Sequence, residues 1–147
     1  MRAIIAIAAT VLLTSCSGAR QVSESRGSLA ASLDRPYYGE ASDAAKAANL
    51  DYRALMLRAV AKDPVALRTL VHLCTNPHFD GAGLEVHLQH LRDLLTLWGD
   101  RDFASAIARF TPREREVLQS HWTFSSRASL TAHFPFTARL VYATSQI

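Results

Sequence analysis

The chain has 147 residues, of which 49% are hydrophobic and 20% are charged, and its formal net charge at pH 7 is +3. This length suits one domain, and the composition is that of an ordinary globular protein. So small a positive excess argues against a nucleic-acid partner, because nucleic-acid-binding domains carry a strong basic patch.

Residues 1–15 have the layout of a secretory signal peptide. Arg2 supplies a positive charge, and the run from Ala3 to Leu13 is apolar except for Thr10. This run is too short to span a bilayer as a transmembrane helix. We therefore predict that residues 1–15 are removed from the mature protein.

The signal ends in a sequence that resembles a bacterial lipobox, in which Leu13, Thr14 and Ser15 precede Cys16. In bacterial lipoproteins the equivalent Cys thiol receives a diacylglyceryl group, becomes the first mature residue and is usually acylated as well. The resemblance implies lipidation at Cys16 and a stable membrane anchor, because several acyl chains hold a protein where one holds it only marginally. The alternative is an ordinary signal cleaved near Ala19.

The residue after Cys16 is Ser17, and not the Asp that retains enterobacterial lipoproteins at the inner membrane. The same resemblance therefore implies a location at the outer membrane, facing the periplasm. Residues 16–41 show no sustained periodicity and are rich in serine, which predicts a flexible tether. Residues 42–147 are then a single helical domain.

Capping residues predict the first helices of this domain. Starts are expected at Ser42 or Asp43, at Asp51, and at Asp63-Pro64, where proline suits the first helical position. The third helix should end near Cys74, before Asn76-Pro77.

Asp80-Gly81 and Gly83 are predicted to form the turn into the clearest helix. Its apolar side chains recur at alternating spacings of four and three, which is typical of a buried helical face. They are Leu84, Leu88, Leu91, Leu95 and Trp98, and Leu94 widens the face. Gly99 is expected to end this helix as a left-handed cap.

Further helices follow to the end of the chain. Phe103, Ile107 and Phe110 share one face of a short helix that Asp100 or Asp102 opens. The sequence from Thr111 to Glu114 combines a capping box with proline at the first helical position. Ser125 or Ser126 should cap another helix, and the segment 136–142 is predicted to be helical because no partner strand is available.

The fold class is therefore all-α, with about six or seven short helices in an irregular bundle or a short helical-repeat-like array. Helix pairs between Asp51 and Trp122 resemble armadillo or HEAT repeats, although the resemblance transfers no functional residue.

Three sets of side chains are candidates for chemistry or binding. If Cys16 is lipidated, Cys74 has no internal disulfide partner, and its place on one helical face with Leu67, Leu70 and Val71 predicts a core residue. His87 and His90 are three apart, so they can reach one point as metal ligands, or they edge the buried face with ordinary hydrogen bonds.

The third set is Arg109, Arg113 and Arg115, which alternate with Glu114 and Glu116. They form either a surface for an anionic partner or a solvated face of ion pairs. No pattern for a cofactor or a catalytic site is present.

We therefore expect a lipid-anchored bacterial envelope protein that acts as a non-catalytic protein-binding or structural module. The first alternative is a small periplasmic hydrolase or metal-binding protein that uses Cys74, His87 and His90. The second is an envelope immunity-type inhibitor.

Overall fold

A computed structural model of the chain describes Leu29, residues 39–121 and residues 127–143. Some of the predicted features lie outside these residues: the lipobox, most of the tether, and the caps Ser125 and Ser126. The described part contains helices and no strand, as the sequence predicts: α1 (Gly39–Ala47), α2 (Tyr52–Val60), α3 (Pro64–Leu73), α4 (Gly81–Trp98), α5 (Asp100–Ile107), α6 (Pro112–His121), α7 (Arg127–His133) and α8 (Pro135–Tyr142).

Two of the predicted helix starts are confirmed. The Asp51 side chain accepts a hydrogen bond from the backbone N–H of Ala54 at 2.9 Å. The Asp63 side chain accepts from the N–H groups of Val65 and Ala66, and Pro64 occupies the first helical position. These carboxylates satisfy donors that have no partner inside the helix.

The predicted start of α1 is wrong, because the helix begins at Gly39 and places Ser42 and Asp43 inside it. Ala41 and Ala45 are fully buried. The packing of these small side chains extends the helix toward the N-terminus, and packing outweighs the cap preference of Ser42 and Asp43.

The turn predicted at residues 80–83 is also wrong, because α4 begins at Gly81 and includes Gly83. At Gly83 the backbone of α1 comes close: a Cβ there would lie 3.4 Å from the backbone oxygen of Glu40. The glycine signal therefore marks a close contact between two helices.

Helix α4 is the centre of the fold, and at 18 residues it is about 27 Å long. It packs against α1, α2 and α5. The predicted face is buried at Leu88, Leu91, Leu94, Leu95 and Trp98, whereas Leu84 is half-buried.

The ends of α2 and α4 are joined by reciprocal bonds. The Trp98 indole N–H donates to the backbone oxygen of Ala59 at 2.8 Å, and the Lys62 ammonium group donates to the backbone oxygen of Trp98 at 3.3 Å. Gly99 then turns the chain into α5 with φ of 76° and ψ of 160°. The positive φ favours glycine, as expected, but the extended ψ makes this a junction between helices and not a left-handed helical cap.

In the C-terminal half, α8 contacts α5, α6 and α7. The Asp100 carboxylate, on α5, accepts hydrogen bonds from the N–H groups of Phe136 and Thr137, each at 2.8 Å. A residue distant in sequence thus caps α8, and the predicted helix in segment 136–142 is confirmed. No described helix is both long and apolar enough to cross a membrane.

Candidate functional site

The two histidines that the sequence singles out converge on one hydroxyl group in the core. The Oη atom of Tyr52, on α2, lies 2.8 Å from Nδ1 of His87 and 2.8 Å from Nδ1 of His90. Both imidazoles are fully buried and Tyr52 is only 3% exposed. We call these three side chains the Tyr52 network.

The bonds of the network fix where its protons lie. Nε2 of His87 is 2.8 Å from the backbone oxygen of Leu70, and a carbonyl oxygen only accepts, so Nε2 carries the proton. In the neutral ring, Nδ1 of His87 is then an acceptor and Tyr52 donates to it. Because the hydroxyl has one proton, Tyr52 accepts from His90, whose proton is therefore on Nδ1.

Burial keeps both rings neutral near pH 7. Desolvation lowers the pKa of His87 to about 4, from an ordinary value of 6.5, and lowers the pKa of His90 to about 4 for the same reason. The rings of Phe79 and His87 pack with their centroids 5.0 Å apart. The network is thus a neutral, apolar-walled cluster that joins α2, α3 and α4.

The structure corrects one expectation and supports another. His87 and His90 lie inside the core and not at the edge of the buried face. They do reach one point together, as their spacing predicts. Tyr52 was missed, because nothing in the sequence shows that a residue 35 positions before His87 faces it.

The network is poorly suited to bind a metal. Both nitrogens of His87 are engaged, one as donor to Leu70 and the other as acceptor from Tyr52. Among the described residues, no group of three or more His, Cys, Asp or Glu side chains could hold a metal ion.

Cys74 lies in the core, as predicted, with 5% of its surface exposed. Burial raises the pKa of its thiol to about 12, so the thiolate that nucleophilic chemistry needs is scarce near pH 7. Its side chain packs with the hydrophobic residues of the core. The geometry therefore gives Cys74 the role of a small apolar side chain.

A second polar cluster links α3 to α6 at the edge of the domain. The predicted capping box is present: Glu114 accepts from the N–H of Thr111 at 2.7 Å, and Thr111 Oγ1 accepts from the N–H of Glu114 at 3.3 Å. The same carboxylate accepts two bonds from Arg68, at 2.6 and 3.0 Å, and one from His72 at 2.6 Å. We call these four residues the Glu114 cluster.

The hydrogen bonds from the Arg68 guanidinium are the main cause that lowers the pKa of Glu114, to about 2 from an ordinary value of 4.5. Glu114 is buried, whereas Arg68 and His72 keep 45% and 58% of their side-chain surface exposed. The sequence predicted the cap and missed both partners from α3. An Arg and a His at adjacent turns of a neighbouring helix carry no sequence signal for that contact.

The three arginines predicted as a surface have different environments. Arg115 donates to the backbone oxygen of Phe110 at 2.6 Å, and Arg113 is exposed at the start of α6. Arg109 lines a pocket of about 240 Å³ together with Lys62 and Trp98. The carboxylate between them in sequence, Glu114, pairs instead with Arg68.

No family model matches the chain, and no similar protein was found among curated proteins or solved structures.

Proposed function

We propose that the chain is a lipid-anchored protein of the bacterial envelope whose helical domain binds a partner protein without catalysing a reaction. The observation that carries the proposal is the sequence from Leu13 to Cys16, which follows a short apolar run and precedes a serine-rich segment. A signal of this layout delivers a protein to the envelope, and a lipidated Cys16 keeps it there.

The environments of the chemically reactive side chains support the non-catalytic part of the proposal. The Cys74 thiol is buried among hydrophobic residues, and the pKa of that thiol is raised to about 12. His87 and His90 are held by hydrogen bonds to Tyr52 inside the core. These groups stabilise the domain, and substrate cannot reach them without opening the core.

The helical surface supports the binding part of the proposal. Packed short helices leave shallow grooves between them, and such grooves suit helices or extended segments of partner proteins. An anchor with a tether of about 25 residues lets a domain search the space near its membrane for such a partner.

The anchor is tested by comparing two cysteine variants in a bacterial host that processes lipoproteins. With Cys16→Ser we expect the protein to leave the membrane fraction and to lose incorporation of labelled palmitate. Cys74→Ala is the matched control, because it removes the other cysteine and should leave the protein in the membrane fraction. Equal membrane retention of the Cys16→Ser variant and the native chain would contradict the proposal.

The partner is tested by cross-linking in membranes that contain the native, anchored chain. We expect one reproducible cross-linked protein whose yield falls with Cys16→Ser, because anchoring raises the local concentration of both molecules. A hydrolytic activity toward envelope substrates that Cys74→Ala abolishes would instead establish the enzyme alternative.

A further inference from the structure

A groove runs between the last two described helices. Its lining comes from one face of each helix and encloses about 470 Å³, a volume in the range of ligand and peptide sites. The lining residues are Arg127 and Thr131 of α7, and Pro135, Ala138, Arg139, Tyr142 and Ala143 at α8. Each helix contributes one arginine to this lining, and Ala138 is its buried residue.

Both arginines are available to an anion. Arg127 is exposed and lies over the ring of Tyr142, with its Cζ atom 4.9 Å from the ring centroid, which holds the guanidinium at the groove. Among the described residues, the ion pairs of arginine involve Arg58 and Arg68, and neither Arg127 nor Arg139 takes part in one.

The surroundings of the groove are positive. The sequence contains no Asp or Glu after Glu116. The neighbouring carboxylate of Asp100, on α5, already accepts the N–H groups of Phe136 and Thr137. Outside the groove lining, the Cζ atom of Arg101 lies 5.3 Å from the ring of the exposed Phe136.

We propose that the groove between α7 and α8 binds an acidic segment of the partner protein, with Arg127 and Arg139 donating to its carboxylates. Guanidinium groups pair with carboxylates through two parallel hydrogen bonds, which gives both charge and orientation. Pro135 and Ala138 add apolar lining that suits the aliphatic stem of a glutamate. This inference names the partner's chemistry and rests on the proposed binding function.

The shape of the site favours a peptide over a lipid surface. The groove is concave, and the two helices that form it are about 10 Å and 12 Å long. This length accommodates one or two turns of a helical peptide. A flat bilayer surface would contact the rims of the groove and leave its floor empty.

The test measures binding of the full chain to a short fluorescent peptide of alternating Glu and Ala, by anisotropy at low salt. We expect the chain to bind this Glu peptide at least about ten-fold more tightly than the same peptide with Gln in place of Glu. The double variant Arg127→Ala with Arg139→Ala should lose this preference. Lys46→Ala, at an exposed cation on α1, is the control and should keep it.

A charge reversal makes the result specific to the groove. Arg127→Glu with Arg139→Glu should reject the Glu peptide and bind a peptide of alternating Lys and Ala, and circular dichroism should show an unchanged helix content. Equal binding of Glu and Gln peptides, or an undiminished preference in the alanine double variant, would overturn the proposal. A third outcome would also overturn it. In that outcome the chain binds phosphatidylglycerol vesicles through Arg127 and Arg139 but does not bind the Glu peptide.

The test is independent of the anchor. A Cys16→Ser chain that leaves the membrane but still prefers the Glu peptide supports both proposals. An anchored chain that shows no preference removes the acidic-segment inference and leaves the membrane location standing.

Discussion

The Tyr52 network and the Glu114 cluster both join helices that are distant in sequence, but they do so by opposite electrostatic means. The network is fully buried and neutral, with desolvation lowering the pKa of each histidine to about 4. The cluster is ionic and partly open to water, with Arg68 holding the pKa of Glu114 at about 2. Removal from water thus suppresses charge in one region, and a charged partner retains it in the other.

The difference reflects which groups can keep contact with solvent. Arg68 and His72 leave about half of their side-chain surface exposed, so neither pays the full cost of burial when it pairs with Glu114. His87 and His90 are fully buried, and a proton on either ring would be an ion in the core. The two regions should therefore respond differently to pH and to mutation.

Mild acid should produce the largest effect, and it should act through the Tyr52 network. The pKa of each ring is about 4 in the folded chain and 6.5 ordinarily, so between these pH values the unfolded chain takes up protons that the folded chain does not. The stabilisation that the two neutral rings contribute is fully present above about pH 6.5, and it is lost as the pH falls toward 4. The loss is up to about 3 kcal/mol for each histidine, although rings that share one hydroxyl do not contribute independently.

Urea unfolding followed by circular dichroism at pH 7 and pH 4.5 measures this loss. Glu114 is still charged in the folded chain at both values, so the ionic cluster contributes little to the difference. The control is His133→Gln, which changes an exposed histidine and should preserve the loss. A free energy of unfolding that is equal at the two pH values would refute the assignment of neutral, buried rings.

Removal of the Tyr52 hydroxyl should have the next largest effect. Tyr52→Phe keeps the ring but leaves Nδ1 of His87 and the N–H on Nδ1 of His90 without their common partner in the core. We expect a loss of about 3 kcal/mol, since each buried polar group left unsatisfied costs roughly 1–3 kcal/mol. The free energy of unfolding in urea at pH 7 is the measurement.

Tyr142→Phe is the matched control for Tyr52→Phe, because the same atom is removed from a half-buried ring at the surface. We expect it to change the free energy of unfolding by less than about 0.5 kcal/mol. If the two variants lose the same small amount, the hydroxyl of Tyr52 does not organise the core.

The comparison also shows what the sequence could predict. Local signals predict the capping contacts of Asp51 with Ala54 and of Thr111 with Glu114, but the cap preference of Ser42 and Asp43 does not locate the start of α1. The buried face of α4 was predicted as well, since helical periodicity alone determines it.

Contacts between distant segments could not be predicted in this way. Tyr52 meets His87 and His90 across 35 and 38 positions, and Arg68 meets Glu114 across 46. The spacing of the two histidines showed that they share a point, but only the packing of α2 on α4 shows what occupies it. The groove between α7 and α8 could not be predicted for the same reason. The sequence shows only that no Asp or Glu follows Glu116, which indicates a positively charged C-terminal segment.

In the ionic region, neutralising Glu114 should have a smaller effect than the loss of the Tyr52 hydroxyl. Glu114→Gln keeps the size of the side chain but removes the charge that Arg68 and the helix start both recognise. We expect a loss of about 1.5 kcal/mol in the free energy of unfolding, because exposed Arg68 regains water when the pair is broken. Glu116→Gln, on the exposed side of the same helix, should change it by less than about 0.5 kcal/mol.

The same variant should also alter the response to strong acid. The folded pKa of Glu114 is about 2 against an ordinary 4.5, so its stabilisation is present above pH 4.5 and is lost as the pH falls toward 2. The Glu114→Gln protein should therefore lose less stability than the native chain between these pH values. An identical acid response in the two proteins would show that another carboxylate dominates this range.

Removal of the His72 ring should have the smallest effect of all. His72 donates to the same oxygen of Glu114 as Arg68 does, but more than half of its side chain is exposed. We expect His72→Ala to cost about 0.5 kcal/mol at pH 7, the value typical of an exposed pair, and His78→Ala at another exposed histidine to cost less. Double-mutant cycles that combine Glu114→Gln with a change at Arg68 or at His72 measure the coupling energy of each pair. The coupling energy of Glu114 with Arg68 should exceed that with His72, because Arg68 makes two bonds to the carboxylate. The reverse order would mean that the His72 contact, and not the Arg68 pair, is the main link between α3 and Glu114.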